Sequence, residues 1–361
     1  MNVHQVVVAA APHDAIVNHA LALQQALGGR ATSEIYARFV DVEMADFVRP
    51  LAEFPSAATS GSKDGSVDAI VYHASIGEHE VTEFLLARPE PLVIVYHNIT
   101  PPEFFDEMDP AFAALLRAGR DELAALVPRA AAALGVSEYN AAELRSVGFA
   151  NVGVSPLVGL TSRVDAEPDP ETLARVSAQT GPVYLFVGQL LPHKRVDLLV
   201  QAFHILRTYL QPDAVLVIAG AQRMQACTDA LHQFVAELAL PDVWMTGTIP
   251  DSVLSAYYRG ADAFVTATEH EGFCVPLIEA MTCGLPVIAR RFAAVPDTLG
   301  DAGLLLEPAD GAAVFAEAML TVTTNDELSA LLADGSRRRA EDWSALDPVR
   351  VFLDHLKGAL S

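Results

Sequence analysis

Short apolar runs alternate with helix-patterned stretches along the whole chain, and this alternation constrains the fold more than any other feature. In the first half, Gln5–Ala11, Ser33–Ala37, Ala69–His73, Leu92–His97, Ala132–Val136 and Asn151–Val154 read as strands. A run such as Leu92-Val-Ile-Val-Tyr96 has no polar position to turn toward water, so it suits a parallel sheet covered on both faces. Helices fall between the runs, as at Ala15–Leu27, where Asp14 stands ready as an N-cap. The segment Pro156–Pro182 carries four prolines and several charges without a strand signal, and reads as an interdomain linker. A second series follows, with strands at Val183–Val187, Ala214–Ala219, Val243–Thr246, Ala263–Ala267, Pro286–Ala289 and Gly303–Leu306. Helices are expected at Val196–Leu210, Met224–Leu238, Pro250–Arg259, Pro276–Cys283 and Ala312–Thr321. The expectation is an α/β protein of two doubly wound, Rossmann-like domains. Such sheets bind ligands outside the carboxyl ends of their strands.

A length of 361 residues suits two ordinary domains. The net charge of -23 argues against nucleic acid as a partner and against electrostatic attachment to anionic lipid. Cys227, Cys274 and Cys283 have no metal-ligand spacing and are too few for a disulfide framework, so reduced, mostly buried thiols and a cytoplasmic location are expected. The N-terminal run Val6–Ala11 lacks a basic flank and is too short to span a membrane.

Four clusters can carry chemistry. In Phe186-Val-Gly188-Gln189-Leu-Leu-Pro-His-Lys194-Arg195, a strand ends at a glycine and two cations stand where the next helix begins. Glycine allows close backbone approach, and a lysine places a point charge against phosphate oxygens. In Glu271-Gly272-Phe273-Cys274-Val275-Pro-Leu-Ile-Glu279, two carboxylates flank a tight turn and a helix start. Helix N-termini favour anions, and carboxylates accept hydrogen bonds from hydroxyls. In the first half, His73 and His97 each end a strand, the latter within Tyr96-His97-Asn-Ile-Thr-Pro, and His13-Asp14 follows the first strand. The chain has no Asp-x-Asp pair for a diphosphate-bound metal, no Walker loop and no Gly-x-Ser-x-Gly elbow.

The Glu271–Glu279 stretch resembles the Glu-x7-Glu signature of retaining GT-B glycosyltransferases, in particular glycosyltransferase family 4. The resemblance continues through Ala280–Ala289 and Val295–Pro308, with Asp297 where the family usually has glutamate. It implies two Rossmann-like domains facing a central cleft: residues 1–160 on the acceptor side, 161–340 binding the donor, and a helix in 341–361 crossing back to the first domain. It also implies a metal-independent, retaining hexosyl transfer with no cofactor, from a nucleotide-diphosphate sugar to a glycan, lipid-linked glycan or small-molecule acceptor. By resemblance, Glu271, Gly272, Phe273, Cys274 and Val275 hold the donor sugar, and Glu279 holds the ribose. Gly188, Gln189, Lys194 and Arg195 hold the diphosphate, although Gln189 replaces the family's arginine. His97 lies near the reacting sugar, with catalytic roles for His97, Lys194 and Glu271. His13, Asp14, His73 and His97 form the acceptor side, His13 replacing a usual glycine. Membrane association, oligomeric state and the identities of donor and acceptor stay open. So do a related sugar phosphorylase or nucleotide-sugar epimerase, and a sugar-nucleotide-binding module without turnover.

Overall fold

The computed structural model describes residues 1–12, 14–55, 67–161 and 163–360. His13, predicted for the acceptor side, lies outside the described residues. The chain divides into two compact units, Met1–Gly159 together with Asp347–Ser361, and Leu160–Leu346.

The first domain holds strands β1 (Val3–Ala10), β2 (Ile35–Val40), β3 (Arg49–Pro50), β4 (Ala69–Ala74), β5 (Leu92–Tyr96), β6 (Ala130–Gly135) and β7 (Val152–Val154). They form one parallel sheet in the order β3-β2-β1-β4-β5-β6-β7. Helices α1 (Ala15–Leu27), α2 (His79–Ala87), α3 (Pro110–Ala125) and α4 (Glu138–Val147) connect them. β4 and β5 are buried along their whole length, as expected of strands covered on both faces. Asp14 caps α1 by accepting the N–H groups of Ile16 and Val17, and Ser137 caps α4 by accepting that of Asn140. Asn140 has a second role. It is fully buried, donates to the Tyr96 carbonyl at 3.0 Å and accepts from Asn98 at 2.8 Å, tying α4 to the end of β5.

The second domain holds β8 (Val183–Val187), β9 (Val215–Ala219), β10 (Val243–Gly247), β11 (Ala263–Thr266), β12 (Val287–Arg290) and β13 (Leu304–Leu306). The order β10-β9-β8-β11-β12-β13 is again parallel throughout. Its helices are α5 (Pro170–Ser177), α6 (Val196–Tyr209), α7 (Gln225–Glu237), α8 (Asp251–Gly260), α9 (Val275–Thr282), α10 (Val295–Leu299), α11 (Ala312–Thr324) and α12 (Asp326–Ala345). Tyr184, Phe186, Phe203 and Phe315 are buried in its core, where each large side chain contributes on the order of 1.5–3 kcal/mol.

Three sequence expectations need correcting. The segment Pro156–Pro182 is not a linker throughout, because the second domain begins at Leu160 and α5 lies within it. Asp169 caps α5 and Pro170 opens it, where the missing N–H costs nothing. The twenty-residue helix α12 has no counterpart in the apolar pattern. Of the cysteines, Cys274 is buried, while Cys227 and Cys283 are only partly so.

The chain returns to the first domain through α13 (Pro348–Leu360), which buries Phe352, Leu353 and Leu356. Gly153 on β7 admits this helix, since a Cβ there would lie 2.3 Å from the His355 ring. No described helix is long and apolar enough to cross a membrane.

Candidate functional site

In the second domain, the loops that follow β8 and β11 are laced together by charge. Gly188 follows directly on β8, and the chain there passes so close to Gly220 that a Cβ on Gly220 would stand 1.9 Å from the Gly188 carbonyl oxygen. Gly220 has φ +151°, so two constraints exclude a side chain there. Gln189, partly buried, leads into a short 3-10 turn at Pro192–Lys194. Arg195 then takes a left-handed conformation, φ 50°, and α6 begins. A non-glycine residue tolerates that region only when its surroundings hold it there. Here Arg195 reaches both oxygens of Asp197, at 3.1 and 3.2 Å, and also pairs with Glu269. Arg290 pairs with the same Glu269 oxygen at 2.9 Å. The backbone N–H of Glu269 donates to the His193 carbonyl at 2.8 Å, closing the lacing.

Lys194 is bonded to Glu271, with its Nζ 2.7 Å from Oε1 and both side chains largely buried. The predicted phosphate-side cation and the predicted sugar-side carboxylate are therefore partners. Cys274 sits at the start of α9 with φ 70°. Burial, and then the neighbouring Glu271 carboxylate, hold its thiol well above the usual range. Phe273 is buried edge-on against Trp343, and its carbonyl accepts from the Thr298 hydroxyl at 2.5 Å, which fixes the turn that follows Glu271 and Gly272. Val275 is the first residue of α9, and Pro276 lies in its first turn.

Glu279 lies on α9 with 0% exposure. Its Oε2 accepts the Tyr258 hydroxyl at 2.8 Å, whereas Oε1 has no hydrogen-bond partner among the described residues. Arg163 stands 3.8 Å from Oε1. Burial raises the Glu279 pKa, and Arg163 followed by the Tyr258 hydrogen bond opposes the rise. A buried carboxylate oxygen without a donor is costly unless something outside the chain supplies one. Tyr258, Arg163, Glu269 and Arg290 were not among the site residues predicted from the sequence. Of these, Glu269 was the most legible, two residues before Glu271 on the same loop.

The first domain brings His73 and His97 together. The pairing of β1 with β4 sets Gln5 beside Val71, and that of β4 with β5 sets His73 beside Val95. Gln5, His73 and His97 therefore lie on one face, each two residues further along than its neighbour, on a diagonal climbing to the carboxyl edge. His73 Nδ1 is 3.0 Å from His97 Nε2, and His73 Nε2 is 2.8 Å from Gln5 Oε1. His19 on α1 packs edge-on against both rings, at centroid distances of 5.5 and 5.3 Å. Burial holds the His73 and His97 imidazoles well below the ordinary range, and each is lowered further by neighbouring histidines. Burial lowers His19 to about 4. Ring nitrogens of the three histidines lie within 4.8 Å of one another, a spacing that could hold a metal ion. Asp14 is occupied as the cap of α1.

Residues 171–339 match the family model for glycosyl transferases group 1. O-antigen chain mannosyltransferase B of Escherichia coli is 34% identical over 134 residues, which are 37% of this chain and 34% of that protein. A GDP-mannose-dependent alpha-(1-6)-phosphatidylinositol monomannoside mannosyltransferase of Mycolicibacterium smegmatis is 28% identical over 187 residues, 48% of this chain and 45% of that one. The chain thus spans about a third to a half of the length of these curated relatives. The Anabaena protein HepE, solved with UDP-glucose, superposes with a TM-score of 0.75 at 17% identity, covering 99% of this chain and 98% of that one. At that identity the likeness is one of fold. The likeness to the glycosyl transferases group 1 family thus lies in residues 171–339, within the second domain, and the fold is the GT-B one of two parallel-sheet α/β domains.

Proposed function

We propose that the protein is a retaining, metal-independent glycosyltransferase that moves a hexosyl group from a nucleotide-diphosphate sugar to a hydroxyl acceptor. The observation that carries this reading is the Lys194–Glu271 pair at 2.7 Å, with Glu279 on the helix that follows, whose Oε1 has no hydrogen-bond donor among the described residues. In this reading a donor separates the pair. Its sugar hydroxyls take Glu271, its diphosphate takes Lys194, and its ribose supplies the donor that Glu279 Oε1 lacks. Charge grows on the diphosphate as the glycosidic bond breaks, so a fixed cation aimed there contributes most in the transition state. Arg195 is already held by Asp197 and Glu269. We assign it to shaping the loop, which leaves Lys194 as the principal cation for the leaving group.

The relatives named for GDP-mannose make that nucleotide sugar the first donor to test. The acceptor follows from the resemblance alone, as a glycan, lipid-linked glycan or small molecule. The large negative charge favours an acceptor that is not embedded in an anionic membrane. Retention is assigned to same-face attack, with the departing phosphate taking the acceptor proton.

A panel of nucleotide sugars, screened by thermal shift and by slow donor hydrolysis, tests the reading. A true donor at a hundredfold its Kd stabilises the protein by about 2.7 kcal/mol. Activity unchanged by EDTA and a product with the donor's anomeric configuration, read by NMR, are the expected results. Failure of every nucleotide sugar to bind refutes the proposal.

A further inference from the structure

The buried face of the first-domain sheet carries a hydrogen-bond chain with a fixed direction. Gln5 is fully buried, and its Nε2 lies 3.0 Å from the Ala20 carbonyl oxygen and 3.1 Å from the Ser33 hydroxyl. A carbonyl only accepts, so the amide nitrogen faces Ala20 and Oε1 faces His73. Oε1 also only accepts, so His73 Nε2 carries the proton that it donates at 2.8 Å. His73, with 0% exposure, is neutral, and one proton on Nε2 leaves Nδ1 bare. The 3.0 Å contact between His73 Nδ1 and His97 Nε2 then requires His97 to donate from Nε2. His97 in its neutral form is left with a bare Nδ1, which has no partner among the described residues.

We propose that Gln5 and His73 are positioning residues that lock His97 in the Nε2–H tautomer, so that His97 presents Nδ1 as an acceptor for a ligand hydroxyl. The alternative of a metal held by the three histidines conflicts with His19. Its Nδ1 accepts the Val158 N–H at 3.0 Å, which puts the neutral ring's proton on Nε2 and leaves neither nitrogen free for a metal. The tautomer stands independently of the glycosyl-transfer reading; only the identity of the hydroxyl rests on it.

The test is 15N NMR of the full chain labelled at histidine, with the His97 ring assigned through a His97→Asn variant. The expected wild-type spectrum shows His97 protonated at Nε2 and bare at Nδ1. His73→Leu removes the acceptor, so the His97 ring should shift to a mixture of tautomers. His73→Asn keeps a side-chain oxygen near the position of Nδ1 and should restore the wild-type signature. Gln5→Met should also mix the tautomers. Against the best hydroxyl acceptor, the Leu and Met variants should lose about tenfold in kcat/KM, the scale of one neutral hydrogen bond, and the Asn variant should recover most of it. A wild-type His97 carrying its proton on Nδ1 overturns the proposal, whatever the variants do. So does Zn2+ at stoichiometric concentration shifting all three rings together. The expected tautomer in a protein that transfers no sugar would leave the relay standing and remove the glycosyl-transfer reading.

Discussion

The candidate clusters of the two domains treat buried polar groups in opposite ways. In the second, charges are kept and matched: Lys194 with Glu271, and Arg195 and Arg290 with Glu269. In the first, charge is removed, and three histidines are held neutral and joined through Gln5 and the backbone. A matched ion pair can be opened by a ligand that brings its own charge, because each partner is a ready-made site for the opposite sign. A neutral relay has no such freedom. Its value lies in the fixed direction of each donor and acceptor, which suits reading a hydroxyl better than holding a phosphate.

The sharpest way to break the comparison is to unmatch the pair. Lys194→Ala should cost about 100- to 1000-fold in turnover, the scale of removing one donor aimed at a developing negative charge. Glu271→Ala should show a comparable loss if the donor sugar depends on it. Steady-state transfer assays decide both, and wild-type rates in either folded variant would remove that residue from the site.

Acid should act on the first domain next. His19 is lowered by burial from an ordinary 6.5 to about 4. Between those values the unfolded chain binds a proton that the folded domain refuses. Stability is therefore complete above pH 6.5 and falls as the pH drops toward 4, by on the order of 3 kcal/mol from this residue. His19→Asn keeps an acceptor for Val158 but cannot titrate, so its urea midpoint should vary less over that window. An unchanged slope would mean that His19 is protonated in the folded state.

A smaller effect should come from Glu279→Gln. Removing a buried charge whose Oε1 lacks a donor should raise the stability of the unliganded protein by roughly 1 kcal/mol, while weakening nucleotide-sugar binding. Calorimetry of wild type and variant, free and with donor, tests both signs. A variant that is less stable yet binds as well as wild type would show Glu279 to be structural.

Most of the sheet framework was legible because its strands are runs such as Val183–Val187 and Leu92–Tyr96, whose burial follows from composition alone. What was not legible depends on pairing across long separations. Gln5 is a polar residue at the head of an apolar run, and nothing local says that its partner is His73. Arg163 lay in a segment read as linker, although it stands beside Glu279. Helix α12 lacks a clear apolar stripe, and its Gly335 looks like a helix breaker. In the fold that glycine lets α12 approach Ala302, where a Cβ would come within 3.3 Å of the backbone. The sequence did show the spacing of Glu271 and Glu279 and the cations at 194 and 195. It did not show that the first acid and the first cation would be bonded to each other.

The return of α13 makes the first domain discontinuous, with the second inserted between Gly159 and Asp347. The order of synthesis then differs from the order of completion. Seven strands of the first sheet leave the ribosome early, but the helix that covers Gly153 and meets β6 is made only after the whole second domain. During translation that apolar surface stays uncovered for the time needed to make nearly two hundred residues, about 10 to 40 seconds at ordinary elongation rates. The nascent first domain is thus a natural client for chaperones, and the second, continuous in sequence, can close its core first.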